Sequence, residues 1–102
     1  MQPYEIFLGS HQWMNCSDKR PWLIVGITER QTLRCFPISG VDYQGKGFEI
    51  LISHPDFPAT GLTKTSVVHD EYFIELRTDE LIKRRGELVN NLLKEFLKFS
   101  GI

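Results

Sequence analysis

Hydrophobic positions in this chain fall in short runs until the last segment, where they turn periodic. The strongest run is Trp22-Leu23-Ile24-Val25-Gly26-Ile27, introduced by Lys19-Arg20-Pro21. It is short, aromatic and β-branched, with no polar alternation, which predicts a strand buried on both faces. Pro21 falls at its start, where a missing N–H costs no ladder bond. Around it, Pro3 to Leu8, Gln31 to Ile38, Phe48 to Ser53 and Ser66 to His69 read as further strands, and Glu71 to Leu76 continues the last or forms a sixth. In Gln31 to Ile38, alternation sets Leu33, Cys35 and Pro37 on one face and Thr32, Arg34, Phe36 and Ile38 on the other. Gly9 to Asp18 is a long polar loop, Asp42 to Gly47 has turn composition, and His54 to Leu62, with Pro55, Pro58 and Gly61, is irregular. Thr78, followed by Asp79 and Glu80, has the signature of a helix start, and Gly86 after Arg84-Arg85 that of a stop, so a short helix is expected there. Finally Leu88, Val89, Leu92, Leu93, Phe96 and Leu97 line one side of a helix, opposite Asn90, Asn91, Lys94, Glu95 and Lys98. The expected class is α+β, mainly β: a small antiparallel, partly closed sheet or barrel with a C-terminal helix.

Composition narrows this picture. At 102 residues, one domain spanning 1–102 is expected. The formal net charge of −1 provides no global attraction for a polyanion, so any anion site must be a local cluster. No basic stretch followed by an apolar run opens the chain, and no run approaches membrane-spanning length, so a cytoplasmic location is expected. Cys16 and Cys35 have no CxxC partner and read as free thiols of a reducing compartment. Nothing calls for a metal or a cofactor.

Candidate chemistry gathers at strand ends. Arg20 stands at the mouth of the central strand, where a rigid scaffold can hold a cation against a ligand. Ser39 is a hydroxyl at another strand end, followed by Gly40. In the long loop, Trp13 can stack on a base and His11 can contact a phosphate.

Four segments carry a family resemblance. Lys19-Arg20-Pro21-Trp22-Leu23-Ile24-Val25 resembles the Arg-Pro-hydrophobic strand of the MazF/PemK toxins of bacterial type II toxin–antitoxin systems. Phe36-Pro37-Ile38-Ser39 resembles their strand ending in a hydroxyl residue. Gly61-Leu62-Thr63-Lys64-Thr65-Ser66-Val67-Val68 resembles their Gly-Leu-x-x-x-Ser-Val-Val stretch, and Arg84-Arg85-Gly86-Glu87-Leu88 their Arg-x-Gly-x-Leu step. The resemblance implies an SH3-like barrel that forms a homodimer. It also implies a metal-independent endoribonuclease that cleaves single-stranded mRNA in the bacterial cytoplasm and is neutralised by a cognate antitoxin. The family's catalytic arginine falls on Arg20 and its catalytic hydroxyl, usually threonine, on Ser39.

Such cleavage uses the RNA 2′-OH as nucleophile. A guanidinium suits the phosphorane because its planar donors match two phosphate oxygens and it stays charged. A hydroxyl adds a further hydrogen bond to the same phosphate. RNA contact is expected from His11, Trp13, Lys19, Tyr43 and His69, with Trp22 belonging to the core. One departure bears on mechanism. Many relatives carry an Arg-Thr-Ile-Asp-like segment where this chain has Ile74-Glu75-Leu76-Arg77, so that arginine and that acid are replaced. Glu71, Glu75, His69 or His11 is then expected to supply the base, histidine being suited by its near-neutral titration. The alternative expectation is a non-catalytic toxin or protein-binding module of the CcdB type on the same barrel.

Overall fold

The computed structural model describes residues 1–10, 19–40, 47–71 and 73–101. Among these residues, seven strands form one antiparallel sheet: β1 (Glu5–Gly9), β2 (Arg20–Ile27), β3 (Leu33–Ser39), β4 (Phe48–Ile50), β5 (Ser66–Val68), β6 (Ile74–Leu76) and β7 (Leu81–Glu87). One helix, α1 (Asn90–Ser100), comes after them. The hydrogen-bonded order is β4-β5-β3-β2-β1-β7, and β6 pairs β3 beside β5. β3 therefore carries two partners along one edge: Leu33 to Cys35 face β6, while Ile38 and Ser39 face β5.

The central strand is dry on both faces. Trp22, Leu23 and Ile24 are consecutive and each has 0% of its surface exposed, as expected for an unbroken apolar run. Two clusters result. Leu23, Phe36 and Ile38 pack with Leu92 and Phe96 of α1, and Trp22, Ile24, Leu33 and Cys35 pack with Leu76 and Leu81 on the other side. The two faces read from the alternation of β3 thus belong to two different cores. Cys35 is a buried free thiol, and loss of hydration pushes its pKa up to about 12. Cys16 lies outside the described residues.

The segment after Thr78 departs from expectation. Thr78–Glu80 makes a single 3-10 turn, and the expected helix through Arg85 is instead strand β7, which pairs with β1 from Glu5↔Glu87 to Gly9↔Leu81. The turn signals at Thr78, Asp79 and Glu80 are real. Glu80 Oε1 accepts from the Arg77 backbone N–H at 2.9 Å. Beyond the turn, pairing with the second edge of β1 outweighs local helix propensity. β4 is also shorter than the run Phe48 to Ser53, because Leu51 and Ile52 leave the ladder and are exposed.

The ladder ends at β4 and β7, so among the described residues the sheet is not closed as a barrel. The edge of β7 is covered by the turn Phe57–Thr60 and by Gly61. Contact there is backbone against backbone: a Cβ on Gly86 would stand 2.2 Å from the Ala59 carbonyl oxygen, and one on Gly61 2.0 Å from that of Arg85. At Arg85 and Gly86 that leaves no room for another strand.

Helix α1 is held at its N-terminus by a residue from elsewhere in the chain. Its N-cap position, Val89, offers no side-chain acceptor. Asp56 Oδ2 accepts from the Leu92 N–H at 3.3 Å, satisfying one of the orphan donors of the first turn. The helix expectation holds from Leu92 to Leu97, with Leu92 and Phe96 buried and Leu93 and Leu97 packed at the margin, whereas Leu88 is buried before the helix and Val89 is its extended N-cap. Among the described residues no helix is long and apolar enough to cross a membrane.

At the paired edge of β1 and β7, Glu5 faces Glu87 across the ladder. Arg84 resolves this like-charge pair: its Nε donates to Glu5 at 2.5 Å and its Nη2 lies 3.6 Å from Glu87. The Arg84 hydrogen bond, helped by the Gln2 N–H, holds the Glu5 carboxyl below the usual carboxylate range against the opposing effect of burial.

Two consequences of this packing are measurable. Phe96 has 0% exposure and meets Phe48 and Phe36 edge-on, with ring centroids at 5.3 and 6.3 Å. Phe96→Ala is expected to destabilise the fold by about 3–5 kcal/mol, read as a lowered urea midpoint at constant slope. A loss below about 1 kcal/mol would place Phe96 outside the cooperative core. For Glu5, a lowered native pKa means stability that is present above the unfolded-state pKa and is lost as pH falls through the native one. Glu5→Gln should therefore melt earlier than wild type at neutral pH, with the gap closing below about pH 4. A gap that persists at low pH would show that the carboxylate charge is not its source.

Candidate functional site

Three strand ends meet at one rim of the sheet. β2 and β3 pair with Trp22 opposite Pro37 and Leu23 opposite Phe36. Continued toward the start of β2, the same register sets Arg20 opposite Ser39. On the far side of each, Arg20 pairs Gly9 and Ser39 pairs Val67. Arg20 and Ser39 thus occupy one row across the sheet, and residues in one row share a face. It is the face of Trp22, whose indole Nε1 donates to the Gly9 carbonyl at 3.1 Å in a buried setting. That bond ties the first turn of β2 to β1 directly beneath Arg20.

His69 lies on the same face, one row further in, opposite Pro37. It comes directly after β5, and its N–H donates to the Pro37 carbonyl at 2.9 Å, extending the β3–β5 ladder by one residue. With Val67 opposite Ser39, alternation gives His69 the Ser39 face, diagonally one step along at roughly 7–8 Å between backbones. Arg20, Ser39 and His69 are all half-buried. Lys19 precedes Arg20 and is exposed.

The other expected residues do not gather here. Glu75 pairs Arg34, five positions before Ser39 on β3, or about 17 Å away at the usual strand rise. Its carboxylate accepts from Thr32 Oγ1 beside a separate cavity of about 610 Å³ lined by Ile27, Arg34 and Phe73. In that cavity the Arg34 guanidinium lies 5.8 Å above the Phe73 ring, which stacks on Phe36 at 4.9 Å. Glu71 is exposed in the connection between β5 and β6. His11, Trp13 and Tyr43 lie outside the described residues, and Trp22 is fully buried and belongs to the core.

Comparison with protein-family models finds no match, and no curated protein matches the chain.

A smaller cleft of about 210 Å³ opens on the other side of the same rim. Its floor is apolar: Leu8, Pro21, Ile38 and Leu62. Its walls carry Ser39, Thr63, Lys64, Ser66 and Arg85. Two glycines shape it. Lys64 fills the space a side chain on Gly40 would need, since a Cβ there would stand 2.1 Å from Lys64 Cε. Gly61, with φ of +70°, brings its carbonyl to Arg85, whose Nε and Nη2 donate to it at 3.2 and 3.0 Å. Ser66 Oγ donates to the Lys64 carbonyl at 2.8 Å, fixing the loop that carries the ammonium. Lys64 and Arg85 were legible only as parts of longer segments. A usable signal was the run Gly61-Leu62-Thr63-Lys64-Thr65-Ser66, in which one cation sits among hydroxyls just before a buried strand.

Gly61→Ala adds a Cβ against the Arg85 carbonyl in a left-handed backbone conformation. It should cost more than about 1 kcal/mol and loosen the Arg85 guanidinium, read as an earlier thermal midpoint together with faster exchange of the β7 amides. An unchanged midpoint would mean that the contact between Gly61 and β7 does not hold the cleft wall.

Proposed function

We propose that this protein is a metal-independent endoribonuclease toxin that cleaves single-stranded mRNA by 2′-OH attack. On this reading it works as a homodimer of SH3-like, MazF/PemK-type barrels in the bacterial cytoplasm, and a cognate antitoxin neutralises it. The observation that carries the reading is the β2–β3 register, which, continued two residues beyond Trp22 opposite Pro37, brings Arg20 across from Ser39 at the ends of strands buried on both sides. A guanidinium and a hydroxyl side by side in one row suit a single phosphate: the first neutralises charge developing on the phosphorane, the second donates to a non-bridging oxygen. His69, diagonal to Ser39, is the group best located to take the 2′-OH proton. Glu75, engaged by Thr32 at the far end of β3, is too remote for that task. Lys19 beside Arg20 meets the backbone of the bound strand, and His11, Trp13 and Tyr43 are the remaining candidates for base contact.

The same remoteness of Glu75, together with Ile74 and Arg77 where relatives carry an arginine and an acid, supports a second reading: a CcdB-like module that binds a protein and hydrolyses nothing.

A long single-stranded RNA incubated with the protein in excess EDTA separates the two. Discrete cuts leaving 5′-hydroxyl ends are expected from the wild type. Arg20→Ala should reduce the rate by roughly 10²–10³-fold, the usual effect of removing one donor to a developing oxyanion, with its thermal midpoint retained. A folded wild type that makes no cuts would overturn the ribonuclease reading in favour of the binding module. Full activity in Arg20→Ala would remove that residue from the mechanism.

A further inference from the structure

We infer that the 210 Å³ cleft holding Lys64 and Arg85 is a phosphate subsite, which binds a backbone phosphate of a single-stranded nucleic acid next to the one at Arg20. The inference rests on the RNA-cleaving reading for the identity of the strand, but its own support is electrostatic. The whole chain has 13 acidic residues against 12 lysines and arginines, yet among the described residues the cleft wall presents two cations and no carboxylate. Among the described residues, neither Lys64 nor Arg85 has an acidic partner within ion-pair distance. Arg85 is half-buried and answered only by the neutral Gly61 carbonyl. A partly desolvated guanidinium left without a counter-charge favours an anion from outside. Two of its five N–H groups go to Gly61, which leaves the Nη1 edge available to a second acceptor.

Size selects the kind of anion. Sites for whole drug-sized molecules are usually about 300–1,000 Å³, whereas this cleft holds about 210 Å³. That suits one tetrahedral group better than a nucleoside. The Thr63 hydroxyl lines the same wall, and hydroxyls are common donors to phosphate oxygens.

Position selects the neighbour. Arg20 and Pro21 are adjacent on β2 and point to opposite faces of the sheet. Arg20 belongs to the row of Ser39, while Pro21 and Ile38 floor the cleft. Ser39 belongs to both, being at the end of β3 and at the cleft wall. A strand laid over the rim therefore meets Arg20 on one side and Lys64 with Arg85 on the other. Only a flexible, unpaired strand can take so sharp a path.

The test uses a short mixed-sequence single-stranded DNA, which lacks the 2′-OH and is not cut by this chemistry. Its affinity is measured against salt concentration for wild type, Lys64→Gln and Gly40→Ala. For a single strand, removing one cation–phosphate pairing lowers the magnitude of the log–log salt slope by about 0.7. Lys64→Gln should lower it by that amount. Gly40→Ala keeps every charge but displaces the Lys64 stem from its seat, so it should weaken binding in the same direction. Thermal midpoints near wild type confirm folding for both variants. An unchanged slope in Lys64→Gln overturns the subsite, as does a failure of the folded wild type to bind the strand. The EDTA cleavage assay reports separately on the enzyme. RNA cutting that depends on Arg20 with no slope change in Lys64→Gln rejects the subsite alone. A slope change without any cutting keeps the subsite and rejects the ribonuclease.

Discussion

The structure depends on keeping the β2–β3 pair dry on both faces. Trp22, Leu23 and Ile24 are consecutive and fully buried, so a single covering layer is not enough. At about 1.5–3 kcal/mol for each large apolar side chain removed from water, these three residues and their partners on β3 dominate the stability of a chain this small. The requirement distributes everything else. The face of Leu23 and Phe36 receives α1, through Leu92 and Phe96. The face of Trp22 and Cys35 receives Leu76 of β6 and Leu81 of β7. β3 must therefore serve β6 with one half and β5 with the other, which splits the sheet along its length.

That arrangement is also what holds the rim still. Ends of strands usually fray, but Arg20 lies two positions before the buried Trp22, and the indole is bonded to the Gly9 carbonyl opposite Arg20. Ser39 likewise comes directly after the buried Ile38 and is paired with Val67. Polar residues thus sit one or two positions beyond a rigid core, which is where groups that must meet a reacting phosphate with small positional error are best kept.

Much of the fold was legible because its signals are local. An unbroken apolar run marked β2, alternation marked both faces of β3, and the spacing of Leu92 to Leu97 marked α1, whose start falls after Leu88 and Val89. The segment after Thr78 misled because turn-forming residues look alike before a helix and before a strand. The choice between the two was made by β1, more than seventy positions away. The site was legible one residue at a time. Arg20 and Ser39 could be singled out, but their pairing depends on the register of the hairpin between them, which includes a shift between Ile24 and Gly26. Glu75 looked equivalent to His69 in sequence, and only strand pairing sends one to the rim and the other to the far end. Lys64 and Arg85 come together through the contact of Gly61 with β7, a long-range approach with no trace in either segment alone.

Charge pairing decides which of the cations can matter. With a net charge of −1 and a screening length of about 8–10 Å in physiological salt, no polyanion is drawn to the molecule as a whole. Cations that already have carboxylates make little field. Arg84 lies between Glu5 and Glu87, and Arg77 between Asp79 and Glu80. Arg20, Lys64 and Arg85 have no such partners among the described residues, and they stand at the start of β2, in the loop before β5, and near the end of β7, around the termination of β3. Among the described residues these cations stand together around Ser39, although the chain as a whole is not positive. On the proposed reading, a strand of phosphates meets these three cations together at the rim where the buried strands end, close to the hydroxyl and the imidazole.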